Sequence, residues 1–387
     1  QAFSCAFKAG LLADHRHGQG MTQLLSRALL KGTNKNEADQ IAVKIESLGG
    51  NISVIGGNNS LTLNSEFLSN DFNQAFDIVS DVIMDPIFPR SAVNREKETL
   101  LLDIEEERES PLSLAAIFAR ENIFGNHPHR YSRLGTVDDI KDSDSEKLLN
   151  FYSEYGVSNN GVITLCGAID SNKVINKIED CLSNIKTGEA MNRNFEDPQW
   201  PLKEKEVEIK HHKEQAVVMI AFPGLSINSD ERATISVIEE IAGGMDGLLF
   251  TRIREELGLA YYVGMSQMVG YSSGSILFYA GTNSESVLKV QNELNLIIES
   301  LIKEKIGEDV LTRAKNALIG KYALSKQSLS ARSQSMALNL LYGLGERYDD
   351  ENIEKIKRLT PEDLRKCCQK YFATSSKVTV QVIPNNK

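Results

Sequence analysis

The chain repeats its own order of elements. A strand-like run at residues 3–9 leads into helical patterns, a hairpin and a long helical stretch. After residue 205 a second strand-like run, at 216–222, leads again into a helical pattern, two strands and further helices. Two halves of similar size and order imply an internal duplication. A chain of 387 residues can give each half its own core. The segment 185–205, NIKTGEAMNRNFEDPQWPLKE, has little periodicity and two prolines, and reads as a connection. The expected domains are 1–187 and 206–387, joined by 188–205.

In the first half a polar loop, DHRHGQG, precedes a helix from Met21 to Lys31 whose Leu24, Leu25, Ala28 and Leu29 form an apolar stripe. Gly32 stops it, and Gly49-Gly50 closes the next helix, Asn36 to Leu48. NISVIGGNNSLTLNSEFL reads as a β-hairpin. Helices are expected at Asp71–Met84, Arg90–Glu109, Leu112–Phe124 and 138–155, and a strand at Gly161–Ala168. The acidic run Glu105 to Glu109 reads as a solvated helix face. In the second half the strands are 216–222, 261–269, 274–281 and 377–383. Helices are expected at Asp230–Ala242, 284–304, 308–326, 328–343 and 350–357. Thr360-Pro361-Glu362-Asp363 starts one more, with Thr as N-cap, Pro at the first position and acids in the first turn.

A net charge of −10 argues against a general nucleic-acid binder, which needs a basic footprint. No apolar run approaches the roughly 18–20 residues of a membrane helix. Five cysteines have no zinc-ribbon or CxxC spacing. Cys367 and Cys368 read as one buried and one half-exposed thiol. This usage suits a reducing compartment without excluding a periplasm, so a soluble protein is expected and its compartment, cytoplasm or periplasm, stays open.

The most informative stretch is Gly243 to Tyr262, GGMDGLLFTRIREELGLAYY. A glycine turn opens it, an amphipathic helical run follows, and Gly258 breaks the run before a strand begins at Leu259–Val263. Arg254 stands at the helix end and Tyr261 enters the sheet seven residues later. The planar fork of an Arg and the O–H of a Tyr at one corner could converge on a carbonyl.

FTRIREELGLAY resembles the C-terminal-half signature of the pitrilysin (insulinase and mitochondrial processing peptidase) family of zinc peptidases. KGTNKNEADQIAVKIESLGG, FGNHPHRYSRLGTVDDI and a block ending in FYAGT match the same family in order. The resemblance covers nearly the whole chain and is nearest to the half-size bacterial members. It implies an α+β fold of two homologous α/β sandwich domains, each an antiparallel-rich sheet packed with helices, in a clam-like architecture. It also places the family's first strands upstream of residue 1. Arg254 and Tyr261 would be the pair that contacts substrate backbone near the scissile bond.

Active members carry His-x-x-Glu-His on the first helix, two zinc ligands one turn apart with a general base between them. No such string occurs here. Aligned on KGT and ESLGG, Gln23 stands at the first His, Ser26 at the Glu and Arg27 at the second His, with Asp103 at or beside the third-ligand position. A Gln amide is a poor zinc ligand beside imidazole, Ser lacks the basicity, and Arg brings a permanent cation. Arg27 and Asp103 are expected to pair in place of the ion. Of the other histidines, His15 and His17 flank Arg16 in a loop, and His127 and His129 lie in a loop that is structural in the family. His211-His212 reads as a strand-start pair facing opposite ways. No metal ligand and no cofactor are expected in this chain.

The resemblance thus implies a chain that has lost the metal and kept the Arg–Tyr pair. That is the pattern of the non-zinc subunit of a heterodimeric peptidase, inactive alone, whose homologous partner carries the zinc and whose substrate is a peptide. A homodimer is possible for the isolated chain. The other class of function is a proteolytically inactive structural or peptide-binding member.

Overall fold

The computed structural model describes residues 1–168, 170–191 and 195–385. The expected connection at 188–205 thus includes residues 192–194, outside the described ones. In chain order the first elements are β1 (Ala2–Lys8), α1 (Leu11–Asp14), α2 (Met21–Ala28), α3 (Ala38–Ser47), β2 (Asn51–Gly56) and β3 (Ser60–Glu66). There follow α4 (Phe72–Met84), α5 (Arg90–Glu109), α6 (Pro111–Phe124), α7 (Val137–Asp142), α8 (Ser145–Tyr155), β4 (Gly161–Cys166) and α9 (Ser171–Leu182). The second half holds β5 (Lys205–His211), β6 (Ala216–Gly224), α10 (Arg232–Gly243), β7 (Tyr262–Met268), β8 (Gly274–Thr282) and α11 (Val287–Lys303). It ends with α12 (Glu308–Ser325), α13 (Leu329–Tyr342), α14 (Tyr348–Arg358), α15 (Pro361–Phe372) and β9 (Val378–Pro384).

The duplication is visible in the sheets. The first runs β2-β3-β1-β4 with every pair antiparallel. The second runs β5-β9-β6-β8-β7 and is antiparallel except for β5 beside β9. Taken from β7, the order β7-β8-β6-β9 repeats β2-β3-β1-β4 position by position, and β5 is an addition at the far edge. The expected α+β class, with helices packed on antiparallel-rich sheets, holds in both halves.

Two compact units result, but each borrows from the other half of the sequence. One comprises Gln1–Ile104, Ser132–Asn192 and Leu324–Glu346; the other comprises Glu105–Tyr131, Arg193–Ala323 and Arg347–Lys387. The borrowed pieces carry α13 and α6, and each covers a sheet face that would otherwise meet water.

In the first unit β1 sorts its side chains by size. Phe3 meets Phe76 of α4 edge-to-face, and Phe7 meets Tyr152 of α8 in the same way. The other face carries small residues. Ala6 packs with Ala337 and Leu341 of α13, and Thr164 Oγ1 of β4 donates to the Ser333 carbonyl at 2.8 Å. Small groups on both sides let the helix lie close to the strand. In the second unit the uninterrupted apolar run of β6 is buried on both faces, as such runs generally are. Val218, Ile220 and Phe222 join the core under α10, α11 and α15. Val217, Met219 and Ala221 join Ala115, Ala119 and Ile123 of α6 and Val380 of β9.

Several local expectations change. The helix read over 138–155 is two helices, because the Asp144 carboxylate caps a new one by accepting from Lys147 N at 2.9 Å. Cys367 and Cys368 are both buried, and burial pushes the Cys368 thiol up to about 12. The strand β5 has no apolar signature in the sequence: only Val207 and Ile209 are apolar among four charged residues, a composition typical of a protected sheet edge.

Candidate functional site

The first candidate region is α2. Its N-terminal N–H groups need partners that the helix cannot supply. Asp14 supplies them, accepting from Thr22 N at 2.9 Å, from Gly20 N at 3.2 Å and from Thr22 Oγ1 at 2.7 Å. Thr22 Oγ1 in turn accepts from Gly10 N at 2.8 Å. Leu24, Leu25, Ala28 and Leu29 are buried as their periodicity predicts.

On this helix Arg27 Nη2 bonds Asp103 Oδ2 of α5, so the expected ion pair forms. The Ser26 hydroxyl turns back to the Gln23 carbonyl at 2.8 Å. Among the described residues Gln23 Oε1 is buried without a hydrogen-bond partner, as is Arg27 Nε. These residues do not fit a zinc ion. A guanidinium has no lone pair to offer, Asp103 is already neutralised by it, and one amide oxygen is too little for a tetrahedral shell. Arg27 and Asp103 are about one fifth and one third exposed, so the pair is worth little. Arg27→Met should therefore cost about 1 kcal/mol or less in urea unfolding, and a double-mutant cycle with Asp103→Asn should give a coupling below about 1 kcal/mol.

The second region is the glycine turn and the corner after it. At Gly243 a Cβ would sit 2.7 Å from Met265 N, so the end of α10 can approach β7 only without a side chain there. The helical run from Phe250 to Glu256 is wound as a π-helix, a form common at functional sites. Gly258 ends it at φ +61°, and Leu259 N returns to the Ile253 carbonyl at 2.9 Å. The corner is then pinned to β8: Tyr261 N donates to the Gly281 carbonyl at 2.8 Å, and Thr282 Oγ1 to the Leu259 carbonyl at 2.5 Å.

Arg254 and Tyr261 flank this corner. The Arg254 guanidinium lies 5.0 Å from the Phe250 ring centroid, a cation–π contact that leaves its N–H groups unspent. Tyr261 is 60% exposed. Neither side chain forms an ion pair or a side-chain hydrogen bond among the described residues. By contrast the neighbouring Arg252 is engaged by Glu256 at 2.9 Å and Glu293 at 3.0 Å.

The remaining polar features lie away from both regions. A cleft of about 910 Å³ in the first unit is lined by Lys35, Asp77 and Asp81. Two of its carboxylates are engaged, since Asp81 accepts from Thr33 and from Asn36 at 2.9 Å, and Lys177 pairs with Asp77. His129 is wholly buried beside His127, with ring centroids 4.5 Å apart. His211 and His212 do not face opposite ways: their rings lie 4.3 Å apart and tilted by 33°, because β5 ends at His211 and alternation does not extend to His212. His212 Nε2 is 3.0 Å from Glu109 Oε2.

The two α+β units repeat one sheet order, and α2 carries an Arg27–Asp103 ion pair in place of any metal-ligand set. The chain belongs to peptidase family M16. The family model described as Insulinase (Peptidase family M16) matches residues 2–136, and the one described as Peptidase M16 inactive domain matches residues 143–318. An "Uncharacterized zinc protease" of Rickettsia felis is 25% identical over 381 residues, covering 96% of this chain and 90% of the relative. A "Non-peptidase homolog YmxG" of Helicobacter pylori is 21% identical, covering 99% of this chain and 88% of the relative. The crystal structure of a peptidase M16 inactive domain from Pseudomonas fluorescens superposes with a TM-score of 0.93 at 21% identity, over 100% of this chain and 93% of that one. Among the described residues no helix is long and apolar enough to cross a membrane.

Proposed function

We propose that this chain is the non-zinc subunit of a heterodimeric metallopeptidase. It supplies Arg254 and Tyr261 to hold substrate, while a homologous partner supplies the zinc ion and the general base. The observation that carries this reading is an asymmetry. The α2 positions that align with the family's metal ligands carry the Arg27–Asp103 ion pair, whereas Arg254 and Tyr261 are exposed and, among the described residues, make no ion pair or side-chain hydrogen bond. A chain that had merely decayed would have no reason to keep the second feature beside the loss of the first. In the complex, Arg254 donates a pair of N–H bonds, and Tyr261 one O–H bond, to peptide carbonyl oxygens. Those bonds would hold the substrate backbone in register for a metal centre supplied by the partner. The substrates are extended, unfolded peptides, which can add to an open sheet edge.

The test is reconstitution. The chain alone should hydrolyse no unfolded peptide. Mixed with a zinc-bearing family member of its own organism, it should co-elute as a heterodimer and show activity that neither chain has alone. A second reading is favoured by one relative's name, non-peptidase homolog: a peptide-binding or structural member with no proteolytic complex. Binding of an unfolded peptide with no hydrolysis in any pairing would select it.

A further inference from the structure

We propose that Glu109, His211 and His212 form a surface site for a divalent transition-metal ion of the zinc class. One ligand atom from each lies within 4.8 Å of the other two. The residues come from two segments, the last turn of α5 and the end of β5. Both ends are fixed. Ser110, which follows Glu109, caps α6 by accepting from Ser113 N at 3.3 Å, and the His211 carbonyl accepts from Asn385 N at 2.7 Å.

Two imidazoles and a carboxylate make a donor set that zinc and cobalt(II) favour over magnesium or calcium. Ligand atoms of a tetrahedral zinc shell lie about 3.3 Å apart, from metal–ligand bonds of about 2.0–2.1 Å. Glu109 Oε2 and His212 Nε2, at 3.0 Å, are already near that spacing. The third donor needs a shift of about 1.5 Å or less to reach it. Glu109 and His212 are more than half exposed, so an ion could enter without unfolding and water would complete its shell.

His211 is the weakest of the three ligands. Its Nδ1 accepts from Lys213 N at 3.2 Å. Ligation through Nε2 moves the ring proton to Nδ1 and gives up that bond. The ion would staple the end of α5 to the edge strand of the second sheet, a join otherwise made here by the Glu109–His212 contact. The site shares no residue with the α2 positions and implies nothing about hydrolysis.

The test titrates the intact chain with Zn²⁺ against a chromophoric chelator, and with Co²⁺ read by its visible d–d absorption. The wild type should bind one ion per chain with a tetrahedral Co²⁺ band. His212→Ala and Glu109→Gln, both at exposed positions, should each weaken binding by at least the roughly 10–100-fold that loss of an outer-shell partner costs. His15→Ala, in the loop before α2, should leave it unchanged. The site is overturned if the wild type takes up no ion, or if binding survives both substitutions undiminished.

Discussion

Unfolding of the first unit should become easier by about 4 kcal/mol as pH rises from 4 to 8, and Asp14→Asn should abolish most of that slope. The cause is the carboxyl that caps α2. Burial raises it from 3.8 to about 7, against the opposing effect of the bonds from Thr22 and Gly20. Asp139 adds to the rise. A carboxyl whose value is raised by folding takes up its proton more tightly in the native state. Its contribution is complete below pH 3.8 and is lost as pH climbs through about 7. In Asp14→Asn the amide oxygen can keep both bonds from Thr22, but the amide nitrogen faces Gly20 N and loses that bond, a cost of about 1 kcal/mol. The variant should therefore be slightly weaker than wild type at pH 4 and clearly stronger at pH 8. Urea unfolding followed through amide exchange in α2 and β1 reads this directly. Parallel wild-type and variant curves across that range would refute the assignment.

The second unit should respond in the opposite sense. Burial, with His127 and Arg120 nearby, holds the His129 imidazole well below its ordinary 6.5. A base depressed by folding contributes fully above pH 6.5, and that contribution is lost as pH falls below it. Protection factors in α6 and β6 should fall on acidification while those in α2 and β1 rise. These two groups should therefore give the units opposed pH dependences. A single probe averaged over the whole chain would show a shallow curve that conceals both.

The parts of this fold legible from sequence are those where one force dominates. The β6 run needs no context, since an apolar stretch of that length between turn signals must be buried. Thr360 announces α15 by chemistry, and the reciprocal cap with Asp363 forms at 2.9 Å. The Arg27–Asp103 pair was within reach because the family resemblance aligned both residues with one ligand set. What escaped depends on tertiary neighbours. Asp14 lies in a stretch that reads as an ordinary polar loop, and nothing local reveals that its carboxylate turns inward to cap α2. The Glu109, His211 and His212 cluster joins residues about a hundred positions apart, and strand alternation, applied one residue past the strand's end, hid it. The exchange of α6 and α13 between units is likewise invisible to periodicity. An amphipathic helix declares that it has a buried face, not which sheet will bury it.

In a reconstituted complex with a zinc-bearing partner, Arg254→Ala should lower kcat/KM by about 10²–10³-fold, the range found when a single preorganised transition-state donor is removed. Tyr261→Phe, which deletes one O–H, should cost less, about tenfold if its bond is worth near 1.4 kcal/mol. Stability should hardly move. Among the described residues Arg254 has no ion pair to lose, and its contact with Phe250 is worth about 0.5–1 kcal/mol at an exposed site. Arg254→Lys distinguishes charge from geometry. It keeps the cation but not the two-pronged fork, so it should rescue little if the guanidinium grips a carbonyl, and much if it serves only as a positive potential. The division of the loss is equally informative. A fall confined to kcat means the pair acts on the reacting centre. A rise confined to KM means it anchors backbone beyond the scissile bond, equally in ground and transition states. Should Arg254→Ala leave kcat/KM within twofold in a complex that does hydrolyse peptide, the exposed pair has no part in the reaction. The asymmetry between α2 and this corner would then need another explanation, beginning with the peptide-binding role.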